Sequence, residues 1–390
     1  MKLLLRTAWR NILGAGMRTW LNVSILSFVL VIMVAYNALL DGWFDKTRKE
    51  SVEWEYASGQ IWSEQYDPYD QLTLPDAHAK IPQTLNSLVD ENEITPVLVV
   101  PASIFPQGRM INVQLKGIDP AQKIVRITAL GAKTEGEIPV VIGKLMAKSA
   151  ALEKGDVVMA RWRDKNGTFD ARSLLIADIF DSDNPNVDKG QIWMDINQLQ
   201  DLTLLTGEAS FFICDKTFQV EQALPAAWSY KDLDTLMKDF LLVEETNWVK
   251  SFITFMILLC LALLAVFDTQ MLSIFKRKKE IGTYVALGME PKRVVTMFTM
   301  EGVLYSLLAV LVGVIWGTPL MYWFNQVGYA VPPNSMREVI FTDAIYPTFY
   351  LSTILMTISV VVVMSGVISY FPARKIARMN MVLALKGKTE

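Results

Sequence analysis

Four stretches of the chain stay apolar for the roughly 20 residues that a helix needs to cross a bilayer. They are 20–43, 249–275, 294–325 and 345–371. Leu21–Leu40 and Ile345–Phe371 carry no charge, Ser251–Phe275 carries only Asp268, and Val294–Phe324 carries only Glu301. Between the first two stretches the pattern changes to short β-branched and aromatic runs bounded by Gly, Pro and Asp, which predicts strands. The strands expected are Gln60–Glu64, Val97–Ile104, Ile111–Lys116, Pro139–Ile142, Val157–Trp162, Ser173–Ile179, Gln191–Met194 and Ser210–Cys214. Helical spacing marks Gln83–Asp90, Lys144–Leu152 and Asn197–Leu205, and Asn166-Gly167 marks a hairpin turn. The expected fold is therefore membrane α-helical with an inserted α+β extracytoplasmic domain over 44–248. The four transmembrane helices fall in a 1+3 arrangement.

Charge orients this plan. Lys2, Arg6, Arg10 and Arg18 precede the first span, a basic cluster from Lys276 to Arg293 joins the second and third, and Arg374, Lys375 and Arg378 follow the fourth. Basic residues stay on the cytoplasmic side. The N-terminus, the loop 276–293 and the tail 372–390 are therefore expected inside, with 44–248 and the short loop 326–344 outside. Trp20, Trp43, Trp248, Tyr322, Trp323, Tyr346 and Tyr350 sit at span ends, where amphipathic rings prefer the headgroup level. Lys2, Arg6 and Arg10 oppose Leu4, Leu5, Trp9 and Ile12, so 1–19 is expected to lie as an amphipathic helix in the inner interface. The composition agrees: 52% hydrophobic side chains with 20% charged suits membrane spans joined to a water-exposed domain. The net charge of −3 is small and says little, and no nucleic-acid partner is expected.

Chemistry is sparse. Cys214 and Cys260 sit in different environments and imply no disulfide. His78 is the only histidine and reads as a surface group, since one histidine cannot make a metal site alone. The acidic run Asp181–Asp188 lacks the glycine and terminal glutamate of a calcium loop and reads as a solvated turn. No catalytic motif is present, and no Gly-x-x-x-x-Gly-Lys-Ser/Thr, so these residues supply no phosphate-binding loop. Asp268 and Glu301 are costly in lipid. They are read either as interhelical or cross-subunit polar contacts, or as groups that snorkel or pair with Lys276–Lys279.

Within 276–293 a short helix is expected over Thr283–Leu287, capped by Gly288, with Pro291 opening the next. The sequence Lys279-Glu280-Ile281-Gly282-Thr283-Tyr284-Val285-Ala286-Leu287-Gly288 resembles the Arg-Glu-Ile-Gly-x-x-x-Ala-Ile/Leu-Gly signature of FtsX/MacB-type ABC transporter permeases. Arg6–Leu13, Glu301-Gly302 and Phe371–Arg378 are similar to that family in the same order. Lys116–Pro120, Gly143–Asp156 and Asp188–Leu199 resemble its LolC/LolE branch, although the hairpin at Asn166-Gly167 is shorter than in LolC-type subunits.

The resemblance implies a type VII permease in a bacterial cytoplasmic (inner) membrane. Its partners would be two copies of a separate ABC ATPase, which would hold the ATP and Mg, and a second permease, itself or a homologue. The coupling element would be Lys278, Lys279, Glu280, Ile281, Gly282, Ala286, Leu287 and Gly288. The output would be mechanotransmission: extraction or export of a lipoprotein or other hydrophobic substrate, passed on to a periplasmic acceptor. The alternative output is a regulator that activates a cell-wall hydrolase or relays a signal without transport.

Overall fold

A computed structural model describes residues 16–70, 72–127, 137–182, 185–218, 224–329 and 344–377. The expected interface helix lies outside the described residues as far as residue 15, as do most of 326–344 and the tail beyond 377. In chain order the main elements are α1 (Met17–Ser51), β1 (Gly59–Ser63), β2 (Ala79–Lys80), α2 (Gln83–Asp90), β3 (Ile94–Ile104), β4 (Ile111–Ile118), β5 (Ile138–Gly143) and α3 (Lys144–Ala150). They continue with β6 (Val157–Arg163), β7 (Phe169–Phe180), β8 (Gln191–Asp195), α4 (Ile196–Thr203), β9 (Glu208–Ala209), β10 (Phe211–Cys214) and β11 (Trp228–Asp232). The chain closes with α5 (Lys238–Lys276), α6 (Lys278–Ala286), α7 (Pro291–Val327) and α8 (Leu351–Ala377).

The chain divides into two compact units. One comprises Met1–Trp43, Glu245–Tyr329 and Ile345–Glu390, and the other Phe44–Glu244 with Ala330–Ala344. The first contains four helices long and apolar enough to cross a membrane, with mean hydropathy from 2.0 to 2.5 in their most apolar windows. Three of them outrun the apolar stretches that predict them, because polar turns extend a helix without interrupting its backbone bonds. The fourth is shifted: α8 runs from Leu351 to Ala377 rather than over 345–371, and Tyr346, which precedes Pro347 and is disfavoured in helical geometry, stays outside it.

Inside this unit, Val23, Leu26, Leu30, Leu259, Val266, Ala309 and Val361 form one buried cluster from α1, α5, α7 and α8. Lipid offers no hydrophobic contrast to such residues, so close backbone approach and polar contacts must hold the helices together. Gly302 of α7 lies where a Cβ would strike the Ser369 side chain of α8, and Gly317 lies against Val31 of α1. Trp316 Nε1 donates to Ser27 Oγ (2.7 Å), and Thr269 Oγ1 donates to Asn22 Oδ1 (3.2 Å).

The second unit is built on β3. Its 11 residues are long enough to serve two pairings along one edge: Ile94–Val97 meet β10, and Ala102–Ile104 meet β6. The sheet order is β11-β1-β10-β3-β4-β8-β5-β7-β6, and the β6–β3 pairing closes the last six strands into a barrel. Period-two alternation splits the core. Leu98, Val100, Ala102 and Ile104 face one cluster with Trp162, Ile176, Met146 of α3 and Leu199 of α4. Val97 and Val99 face a second with Trp193, Phe211 and Ile213. A third joins Ile61, Phe212 and Trp228 to Leu85 and Leu88 of α2. Cys214 belongs to it, and burial pushes its thiol up to about 12, which keeps it protonated and inert.

Two readings of polar residues are corrected here. Asp188 is not in a solvated turn: it is fully buried, and its carboxylate accepts the backbone N–H groups of Leu145 (2.7 Å) and Met146 (2.9 Å). It thus caps α3 from 43 residues away in sequence. His78 is not a free surface group either. Its Nδ1 meets Glu208 Oε2 at 2.5 Å, Lys165 Nζ meets Glu208 Oε1 at 2.7 Å, and the Glu208 side chain is only 7% exposed. Burial pushes the Glu208 carboxyl up, but the Lys165 and His78 hydrogen bonds outweigh it and hold the group below its ordinary value of 4.5. A depressed carboxyl adds stability that is present above its unfolded pKa and is lost as pH falls through its folded pKa. Denaturant unfolding between about pH 6 and about pH 3 should therefore show a steep acid-side loss in the native protein and a shallower one in Glu208→Gln. Equal slopes would refute this role.

Candidate functional site: the α5–α6–α7 junction

The short helix in 276–293 is longer than expected: after a break at Arg277, the nine-residue α6 begins at Lys278 rather than Thr283, and a turn at Gly288 and Pro291 in the first turn of α7 follow. Gly288 has φ +96°, which an L side chain rarely adopts, so glycine suits the end of the helix.

The eight residues assigned to coupling separate by burial. Ile281 is 6% exposed and belongs to a cluster with Ile274 at the end of α5, Val294, Met297 and Phe298 of α7, and Ala373 of α8. Gly282 is also buried, so it is a packing position rather than a contact surface. Lys279, Glu280, Ala286, Leu287 and Gly288 are exposed, and Lys278 is half-buried with its ammonium 4.5 Å from the Phe275 ring. Leu287 is 82% exposed, unusual for a leucine on an otherwise anchored element.

Arg277 organises the junction, and sequence reasoning left it out of the site. Its Nε donates to Glu280 Oε2 (3.0 Å), its Nη1 donates to Glu301 Oε1 (3.1 Å), and its guanidinium lies 5.4 Å from the Phe298 ring centroid. One cation therefore ties α6 to α7 at the end of α5. A guanidinium suits this task because its fork of donors serves two carboxylates while its face stacks on a ring. The missed signal is the residue's place in a run of four basic residues, which reads as topology-setting charge.

Glu301 is 2% exposed and held by this pair, so the interhelical reading and the basic-run reading of it converge on one contact. Asp268 differs: it sits on the exposed face of α5 and enters no ion pair among the described residues. Near Glu301 in the sequence, Gly302 brings α7 against Ser369 of α8. Ile281 in its cluster and Glu280 on Arg277 are thus the two contacts that hold α6 at the junction. No group of three or more His, Cys, Asp or Glu side chains suited to a metal occurs among the described residues.

Residues 250–381 match the family model described as FtsX-like permease C-terminal. The match contains the whole junction. Over 122 residues, 31% of this chain, the sequence is 30% identical to the Macrolide export ATP-binding/permease protein MacB of Pasteurella multocida (strain Pm70). The chain spans 17% of that curated relative's length. Among solved structures, the extracellular domain of the noncanonic ABC-type transporter YknZ from Gram-positive bacteria aligns over 45% of this chain and 100% of its own. That alignment has 14% identity and a TM-score of 0.29, too low to carry an argument.

Proposed function

We propose that this chain is the permease subunit of an ABC transporter in the bacterial cytoplasmic membrane, and that α6 is the element its ATPase grips. The observation that carries this reading is the junction itself, within the stretch that matches the FtsX-like permease model. It is a short helix anchored by Ile281 and Arg277, presenting Glu280 and the exposed Leu287 outward between two membrane-length helices. Two ATPase copies, carrying ATP and Mg, act on a pair of permeases, this chain with itself or with a homologue. The basic clusters favour an orientation with α6, the N-terminus and the tail in the cytoplasm and the strand-rich unit outside. Closure of the ATPases pushes α6, and the helices relay the displacement outward by rigid-body motion. Likeness to the LolC/LolE branch at Lys116–Pro120 and Asp188–Leu199 favours a lipoprotein or other hydrophobic substrate, delivered to an acceptor outside. Asp268, exposed on α5, supplies a polar contact to the second permease.

The test reverses the outward face and leaves the anchor intact. Lys279→Glu with Leu287→Arg, which spares the Glu280–Arg277 bond, should leave the thermal unfolding midpoint in detergent unchanged and lower substrate-stimulated ATP hydrolysis by the co-purified ATPase about ten-fold or more, the range of a typical coupling free energy. Unchanged stimulation would remove α6 from the coupling path. Purification that brings no ATPase would overturn the permease reading itself.

A further inference from the structure

Polar side chains are costly in the core of a membrane bundle. Gln270 of α5 is 1% exposed there, and neither its amide oxygen nor its amide nitrogen is hydrogen-bonded to any described residue. It lies one turn from Val266, in the cluster shared by the four long helices, and one turn from Ile274, in the junction cluster. An orphaned amide costs free energy at this level, because packed apolar side chains and lipid offer it no substitute for water. Thr299, Ser365 and Ser369 also hold buried hydroxyls without a partner among the described residues. A hydroxyl can turn to a carbonyl of its own helix, whereas the longer glutamine amide needs a partner from elsewhere.

The complementary groups lie on α1. Asn22 is fully buried, its Oδ1 accepts from Thr269 Oγ1 (3.2 Å), and its Nδ2 has no acceptor among the described residues. Thr269 directly precedes Gln270. Its hydroxyl has a single proton and a second, closer acceptor, the Ala265 carbonyl of its own helix at 2.9 Å. Thr269 can therefore release Asn22 and keep a hydrogen bond. Asn22 and Gln270 can then meet amide to amide, Asn22 Nδ2 donating to Gln270 Oε1 and Gln270 Nε2 donating to Asn22 Oδ1. That exchange satisfies all three orphaned amide atoms and creates no new one. Successive residues lie about 100° apart around a helix and about 1.5 Å along it, so a partial turn of the inner end of α5 brings the exchange about.

We propose that Gln270 is a positioning residue that gives the α1–α5 contact two states: the Thr269–Asn22 bond of this structure, and a Gln270–Asn22 amide pair. Gln270, Ile274 and Arg277 fall at i, i+4 and i+7, on one face of α5. Ile274 shares the junction cluster with Ile281 of α6, and Arg277 bonds Glu280 of α6. A push on α6 acts on this face within two turns of the amide and turns the end of α5. The switch rests on the permease reading for that push.

The test uses the full chain with its co-purified ATPase in detergent, and reads ATP hydrolysis by the complex relative to the isolated ATPase. Gln270→Met keeps the length of the side chain and removes the amide. It should raise the thermal midpoint by about 3 °C or more, as relief of one orphaned buried polar group does, and lower the stimulation about five-fold or more. Exchanging the amides, Asn22→Gln with Gln270→Asn, should restore most of the stimulation, a rescue that a packing role would not give. A midpoint that stays or falls in Gln270→Met would overturn the proposal by showing the amide to be satisfied where it stands, as by a bound water. So would a raised midpoint with stimulation intact, or a double exchange no better than Gln270→Met. These outcomes overturn the switch and leave the permease reading standing. A wild-type preparation that brings no ATPase would remove that reading, and the switch with it.

Discussion

Arg277→Leu is expected to destabilise the membrane unit by about 3 kcal/mol, at the lower end of the range for removing one partner of a buried ion pair. The lower end applies because Arg277 keeps 19% of its side chain exposed, whereas Glu301 has 2%. The loss has two parts. Glu301 loses the guanidinium that offsets its removal from water, and Glu280 loses the bond that ties α6 to the end of α5. Removing both buried charges separates them: Arg277→Leu with Glu301→Leu should recover most of the thermal midpoint in detergent, because an apolar pair of similar volume carries no desolvation cost. It should not restore ATPase stimulation, since α6 would still lack its tie through Glu280. A double variant as unstable as Arg277→Leu alone would show that the destabilisation comes from lost packing on Phe298 rather than from the charge.

Asp188→Ala is expected to cost the strand-rich unit a comparable amount, about 3–5 kcal/mol, because it removes two hydrogen bonds to a charged acceptor and leaves the amides of Leu145 and Met146 buried. Gly143 provides an independent check. Its φ of −79° suits any residue, yet a Cβ there would strike the Asp188 carboxylate. Gly143→Ala should therefore destabilise the domain in the native background and cost much less once Asp188 is alanine. Additive losses in denaturant unfolding would show that the two positions do not share this contact.

These residues show where the sequence was legible. The four apolar helices announce themselves because one charge in about 20 residues is rare outside a membrane. The barrel strands show through period two: β6 alternates buried and exposed at every position. β11 was missed because Ser229, Tyr230 and Lys231 sit at a sheet edge, half-buried or exposed, and carry no alternation to read. Closure of β6 on β3 leaves no local mark, since it depends on two segments about 60 residues apart meeting in space. The same holds for polar partners. Asp188 sits in a run of Asp and Asn that looks solvated, and only the tertiary fold places the Leu145 and Met146 amides beside it. At the junction the short helix was readable from Gly288 and Pro291, but nothing in a run of basic residues distinguishes Arg277 from its neighbours.

One pairing in the strand-rich unit governs how it can be loaded. Its first and last strands along the chain, β1 and β11, lie side by side and antiparallel with Gly59 opposite Asp232. These are also the points where the chain arrives from α1 and departs toward α5. Tension that drew these two ends apart would act across the open end of a zipper, breaking the rungs in turn from Gly59↔Asp232 to Ser63↔Trp228. Tension applied to both ends together would spare the rungs and carry the unit as one body. The fold is therefore mechanically weak against separation of its two tethers and strong against their common motion.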